Sequence, residues 1–297
     1  MKKIFEGIVP AVITPMDSSG EINEDALRKV VEFNINSGVH GLWVAGGTGE
    51  SILLSDEENT MISKIVSEQN DTRTNIIMHV GSPTTTRSAY LAEQAARAGV
   101  EAICCVPPFF YKGSDDQIVQ HYKTVANAAN LPFFVYNLPD ATGVEITPSL
   151  MSKIQDNVPQ LTGLKHSSQN FDNVRTFSKM GLRCFIGSSR QLLPALTVGA
   201  AGCVDGPPSV APEIWVLLWE QYSKEQLKKA ELTQDRAIDF AELIAKGGYL
   251  ANIKALTGYR LGIDCGTPRN HDIQLSAEAL ETLIREASLL GIDRAIS

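Results

Sequence analysis

The chain has 297 residues, 43% of them hydrophobic and 20% charged, with 34 acidic against 26 basic side chains and a formal charge of −8. Single α/β barrels run to roughly 200–250 residues, so this length suits a barrel carrying an appendage. The acidic balance without a clustered Lys/Arg face argues against nucleic acid, and no stretch approaches the roughly 18 uninterrupted apolar residues of a membrane helix.

Lys2 and Lys3 open the chain, but the apolar run after them soon meets Pro10 and Pro15 and is too short for a signal peptide. Residues 8–14 predict a first strand in spite of Pro10. Asp17, Ser18, Ser19 and Gly20 predict a turn. Asn23 then caps a helix with an acidic first turn and apolar Leu27, Val30, Val31 and Ile35 at helical spacing. The same unit recurs. Residues 41–45 predict a strand, and Ser55 caps the helix that begins Asp56, Glu57, Glu58. A strand at 75–80 precedes a helix over about 84–98, and one at 102–106 leads through Pro107 and Pro108 to a helix over about 115–129. A strand at 133–136 precedes a helix over about 148–155. The last three units pair strands at 161–165, 183–186 and 202–204 with helices from near 171, over about 191–198 and over about 212–223.

Short, doubly apolar strands alternating with amphipathic helices require a parallel sheet covered by helices. Eight such repeats predict a closed (β/α)8 TIM barrel over residues 1–223. Residues 224–297 show only helical periodicity, as in Leu227, Ala230, Leu232, Ala237 and Phe240, and predict an extension of about three helices. The cysteines (Cys104, Cys105, Cys184, Cys203 and Cys265) are odd in number and lack metal-ligand spacing. Four lie in or beside apolar runs, which predicts buried reduced thiols and a cytoplasmic protein.

Chemistry in a barrel belongs at the C-terminal ends of its strands. Lys165 ends the sixth apolar run, where its side chain can enter the barrel mouth. Burial there disfavours an ammonium and leaves an amine nucleophile, which condenses with a ketone to an iminium electron sink. A solvated or ion-paired lysine is the plainer alternative. After the second strand, Gly46-Gly47-Thr48-Gly49-Glu50 can turn several N–H groups toward one small volume, with the Thr48 hydroxyl beside them. It can equally be an ordinary glycine-rich turn, and its spacing matches neither a P-loop nor a dinucleotide fingerprint. Tyr136, ending the fifth run before Asn137-Leu138-Pro139, offers either a proton-shuttling phenol or a core tyrosine tied to backbone.

Together these motifs resemble the dihydrodipicolinate synthase / N-acetylneuraminate lyase family of class I Schiff-base aldolases. The likeness covers residues 7–15, 38–42, Gly46 to Glu50, Tyr136 to Pro139, Gly163-Leu164-Lys165 and the 262–268 region. It implies a barrel with a helical extension, usually a homotetramer, that works on pyruvate and an aldehyde through a lysine Schiff base, with no separate cofactor. By the same analogy Lys165 would form that Schiff base, and Tyr136 would transfer protons. Thr48 and the Gly47 backbone would hold the 2-oxo acid carboxylate, and the Val204 carbonyl would face the lysine.

Departures narrow the branch. Dihydrodipicolinate synthases usually carry a threonine where this chain has Gly47, a relay tyrosine where it has Phe110 (beside Tyr111), and an arginine where it has Ala141. The acidic pair of sialic acid lyases falls at Ser189 and Arg190. Arg190 is either a partner for a distal carboxylate or a surface side chain, and Ser167 is a candidate hydroxyl for a polyhydroxylated substrate. The expected activity is a pyruvate-dependent aldolase or lyase on a 2-oxo-3-deoxy sugar acid or sialic-acid-like compound. Dihydrodipicolinate synthase and a sugar acid dehydratase are the alternatives within the family. A non-catalytic 2-oxo acid sensor is the alternative outside it. His40, His79, His121, His166 and His271 are scattered and predict no metal cluster.

Overall fold

A computed structural model describes residues 5–269 and 274–295, and His271 lies outside them. Eight strands carry the frame: β1 (Gly7–Ile8), β2 (Gly41–Val44), β3 (Asn75–His79), β4 (Ala102–Cys105), β5 (Phe133–Asn137), β6 (Leu161–His166), β7 (Arg183–Ile186) and β8 (Gly202–Cys203). Helices α1 (Glu24–Asn36), α2 (Asp56–Asn70), α3 (Thr85–Ala98) and α4 (Asp115–Ala129) follow the first four strands in turn. Next come α5 (Pro139–Thr142), α6 (Pro148–Asn157), α7 (Asp172–Lys179), α8 (Leu192–Thr197), α9 (Pro207–Val210) and α10 (Pro212–Ser223). Three helices complete the described chain: α11 (Leu227–Ala245), α12 (Tyr249–Leu261) and α13 (Ala277–Leu289).

All strand pairs are parallel, in the order β1-β8-β7-β6-β5-β4-β3-β2. An Ala11–Trp43 bridge closes the ring between the first and second strand segments. This is the TIM barrel the repeats predict, with the helical extension after it. The first strand is shorter than its apolar run because of Pro10. Gly7, Val9 and Ala11 donate toward the β8 side, while Ile8 and Pro10 face β2, where proline has no N–H to give. Pro10 still accepts from Trp43 N–H at 2.9 Å, so the ring stays closed through carbonyls.

Local chemistry sets the helix starts. Ser55 and Glu58 form a reciprocal capping box on α2, as Ser114 and Gln117 do on α4. Thr84 and Thr147 cap α3 and α6, and Pro148 and Pro212 occupy first-turn positions where a missing N–H costs nothing. Alternation along the strands divides the core in two. Ile76, Met78, Val135, Leu164 and Ile186 pack outward under the helices. Val9, Trp43, Ile77, Cys104, Phe134, Tyr136, Phe185 and Val204 fill the barrel. The five cysteines are free and buried, Cys265 included. Among the described residues no helix is long and apolar enough to cross a membrane.

The extension is locked to the barrel by a buried ion pair. Lys254 of α12 lies 2.7 Å from Glu50, with both side chains 1% exposed. The contact is off the hydrogen-bond line, so the attraction is Coulombic. Lys254 donates instead to the Thr267 carbonyl at 3.0 Å, and Glu50 accepts the Arg269 N–H at 2.6 Å. Removing one charge leaves the other buried and uncompensated. Lys254→Met should therefore cost about 3–5 kcal/mol, read as a lowered urea midpoint. The pair Glu50→Gln with Lys254→Met, which keeps an acceptor for Arg269, should recover most of that loss.

Candidate active site

Tyr136 and Lys165 are register partners on adjacent strands β5 and β6, so period-two alternation sends both side chains into the barrel together. Lys165 is one residue short of the strand end, because the ladder continues to His166. Its side chain is buried, and among the described residues it has no carboxylate or hydrogen-bond partner. The amine lies 4.5 Å from the Tyr136 ring centroid and 5.5 Å from that of Trp43. Bounded by aromatic faces and bonded to nothing, it is sterically free to meet a carbonyl carbon.

The glycine–threonine turn follows β2 next to this pair. Gly49 is needed for packing, since a Cβ there would meet the Ala45 backbone at 2.9 Å and the Val12 carbonyl at 3.2 Å. Thr14 fixes the turn by donating to the Gly49 carbonyl at 2.8 Å. Gly47 differs, because a Cβ there would meet nothing within 4 Å. It borders a 210 Å³ cavity shared with His79, Val106, Phe109, Tyr136 and Ala141. Among the described residues no group takes the N–H of Gly47 or Thr48, an arrangement suited to a carboxylate.

Asp205 and Tyr249, absent from the sequence-level candidates, stand beside Thr48. Asp205 accepts from Ser189 N–H at 2.8 Å, Gly206 N–H at 2.8 Å and the Tyr249 hydroxyl at 3.1 Å. Tyr249 is 37% exposed, and its hydroxyl lies against Gly206, where a Cβ would come within 2.4 Å of it. Burial and the Asp205 carboxylate hold that phenol well above the usual tyrosine range, against a smaller opposing pull from Thr48. A residue of the extension thus reaches the turn at the end of β2.

The turns after β6 and β7 enclose a 440 Å³ cavity bordered by Ser167, Ser168, Gln169, Ser188, Arg190 and Gln191. Ser167 is one of the predicted hydroxyls, and its Oγ occupies the space a Cβ at Gly187 would take. Arg190, at the edge of this cavity, is half-exposed and pairs with Glu242 at 3.0 Å. Val204 is fully buried in the barrel-filling layer with Tyr136.

The loop after Tyr136 is braced from below. Asn137 donates to Glu145 at 2.8 Å and lies 3.2 Å from His166 Nδ1. An amide donor at Nδ1 makes that nitrogen the acceptor, so Nε2 carries the proton that goes to the Asn170 carbonyl at 2.9 Å. His121 is likewise satisfied by Thr85 and Cys105, and His40 accepts from Ile8 N–H. Among the described residues no three His, Cys, Asp or Glu side chains converge on a metal position.

Burial lowers the pKa of both His79 and His121 to about 4, against 6.5 for the free side chain. Their folded-state values are depressed, so the unfolded chain binds more protons between those limits and stability falls as pH drops. Going from neutral pH to about pH 5 should cost about 2 kcal/mol for each histidine. Urea unfolding at the two pH values measures the sum, and a flat profile would contradict neutral burial.

Comparison with known proteins places the chain in a family. The family model for the dihydrodipicolinate synthetase family matches residues 4–288. N-acetylneuraminate lyase 2 of Escherichia coli is 30% identical over 262 residues, covering 87% of this chain and 85% of the relative. A 4-hydroxy-tetrahydrodipicolinate synthase of Syntrophus aciditrophicus is 27% identical over 97% of this chain and 100% of its own length. The wild-type sialic acid aldolase of Ruminococcus gnavus superposes with a TM-score of 0.92 at 26% identity, over 97% of each chain. The chain belongs to the dihydrodipicolinate synthetase family, whose members are class I aldolases and lyases that work through a Schiff-base lysine.

Proposed function

We propose that this protein makes or breaks the carbon–carbon bond between pyruvate and an aldehyde, on a 2-oxo-3-deoxy sugar acid or a sialic-acid-like substrate. The observation that carries the reading is the side-by-side placement of Tyr136, which borders a small apolar-walled cavity, and an unpartnered Lys165 whose amine lies against its ring. In the cleavage direction the Lys165 amine adds to the C2 carbonyl and, with loss of water, becomes an iminium. The C3–C4 electrons flow into it as the C4 hydroxyl proton leaves through Tyr136, giving an enamine and an aldehyde. Protonation at C3 and hydrolysis then release pyruvate and restore the lysine. No cofactor enters the scheme.

The free amides of Gly47 and Thr48, with the Thr48 hydroxyl, hold the 2-oxo acid carboxylate. Ser167, with Arg190 at the rim, belongs to the polar cavity that takes the hydroxylated end, where side-chain donors and acceptors replace lost water. Val204 closes the barrel behind the lysine. The synthase alternative is less well served, because Ala141 borders the smaller cavity where a second substrate carboxylate would need a cation. The exposed pair Phe110 and Tyr111, 83% and 81% open with ring centroids 4.9 Å apart, fits burial between subunits of the homotetramer expected for the family. Sedimentation velocity measures that state.

Borohydride treatment in the presence of pyruvate should fix an adduct on Lys165 of the native protein and none on Lys165→Ala. Tyr136→Phe should keep the adduct while turnover falls by about 10²–10⁴-fold. Pyruvate that binds the native protein without an adduct would end the Schiff-base reading and favour a sensor.

A further inference from the structure

His79 is the last residue of β3, and alternation aims it into the barrel with Ile77 while Met78 packs outward. It is 3% exposed, and its ring meets that of Tyr136 edge-on, with centroids 6.0 Å apart at 88°. Among the described residues no side chain bonds either ring nitrogen, and the Ala45 carbonyl faces the ring without reaching good hydrogen-bond geometry. The other described histidines, His40, His121 and His166, all have partners. Nε2 faces Gly81, where a Cβ would come within 2.7 Å of it and within 2.9 Å of the Val106 N–H. Glycine at 81 therefore leaves room for that nitrogen, which is itself buried, on the side where Val106 and His79 border the 210 Å³ cavity.

A neutral imidazole carries one donor and one acceptor, and burying them without well-formed bonds lowers stability without structural return. Such a group is explained when a ligand completes it. The cavity it borders also holds Gly47 and Tyr136, so the ligand atom in reach belongs to the reacting end of the substrate.

We propose that His79 is a catalytic residue that hydrogen-bonds the oxygen on C4 of a 4-hydroxy-2-oxo acid, the atom that is a hydroxyl before C–C cleavage and an aldehyde oxygen after it. This rests on the aldolase reading above and adds a substrate requirement to it: an oxygen at the carbon being cleaved or joined. Burial, and secondarily Lys165, lower the His79 pKa to about 4 against a smaller opposing pull from the Ala45 carbonyl, so the ring remains a neutral partner for that oxygen at ordinary pH.

The two halves of the chemistry separate the role from a structural one. Exchange of the pyruvate methyl hydrogens for deuterium needs Lys165 and enamine formation, but no C4 oxygen. Addition of pyruvate to an aldehyde needs both. His79→Phe fills the same space without polar atoms, and should be at least as stable as the native protein by thermal unfolding. It should keep borohydride trapping and methyl exchange within about threefold, and lose aldehyde addition by about 10²-fold or more. His79→Gln, which retains a neutral donor and acceptor, should recover part of the addition. N-acetylmannosamine and glyceraldehyde serve as aldehyde probes, whichever the native protein accepts. Addition at the native rate in His79→Phe would overturn the proposal. So would parallel loss of exchange and addition, which would make His79 part of the frame. Absence of trapping in the native protein would instead remove the aldolase reading, and this inference with it.

Discussion

The buried contact between Glu50 and Lys254 is the constraint on which the mouth of the barrel depends. Glu50 closes the glycine–threonine turn in a left-handed backbone conformation, with φ 61°, that a residue other than glycine adopts only when its surroundings hold it. Those surroundings come from the extension: Lys254 on one oxygen and the Arg269 amide on the other. Arg269 also reaches the carbonyls of Leu53 and Gly20 and pairs with Glu58, the residue that completes the capping box of α2. The same helix that supplies Lys254 supplies Tyr249 to the Asp205–Thr48 corner. The barrel could close without α12, but the turn that presents Gly47 and Thr48 would lose its outer wall.

Most of the frame was legible because its causes are local. Period-two apolar runs, acidic first turns and Ser, Thr or Asn caps lie within a few residues of what they specify, and the helices at 115–129 and 212–223 begin and end where those signals put them. The reactive pair was legible for a related reason: strand ends face the mouth of a barrel, so Lys165 and Tyr136 needed only a correct strand count. Pro10 was visible too, yet its effect was to shorten the ladder on the β2 side, which depends on which neighbour each N–H faces.

What stayed hidden arises from contacts between distant parts of the chain. Lys254 reads as one more charge on a helix of the extension, and only folding makes it the partner of Glu50. Asp205 follows the eighth apolar run as an ordinary turn residue, with no sign that a phenol from the extension will donate to it. His79 was one of five dispersed histidines. The available signal was its place as the inward-facing last residue of a strand, the same signal that picks out Lys165, but histidine occurs often enough as a satisfied core residue to mask it. The partners that make His40, His121 and His166 structural come from Ile8, Thr85 and Asn137, all remote in sequence, so their difference from His79 emerges only in three dimensions.

The cavities on the β3–β5 side and after β6 and β7 differ in polarity, which suits opposing physical demands. A cationic iminium pulls electrons best where water is scarce and fixed dipoles are not screened. The walls on the β3–β5 side, from Val106, Phe109, Tyr136 and Leu138, provide such surroundings. A polyhydroxylated chain needs the reverse, because each hydroxyl drawn from water must find another partner. The serines and glutamines after β6 and β7 offer those partners. Lys165, whose amine lies against the Tyr136 ring, is on the dry side of this division. A neutral histidine on the dry side fits this division: it can bond an oxygen at the reacting end without bringing a second charge beside the iminium.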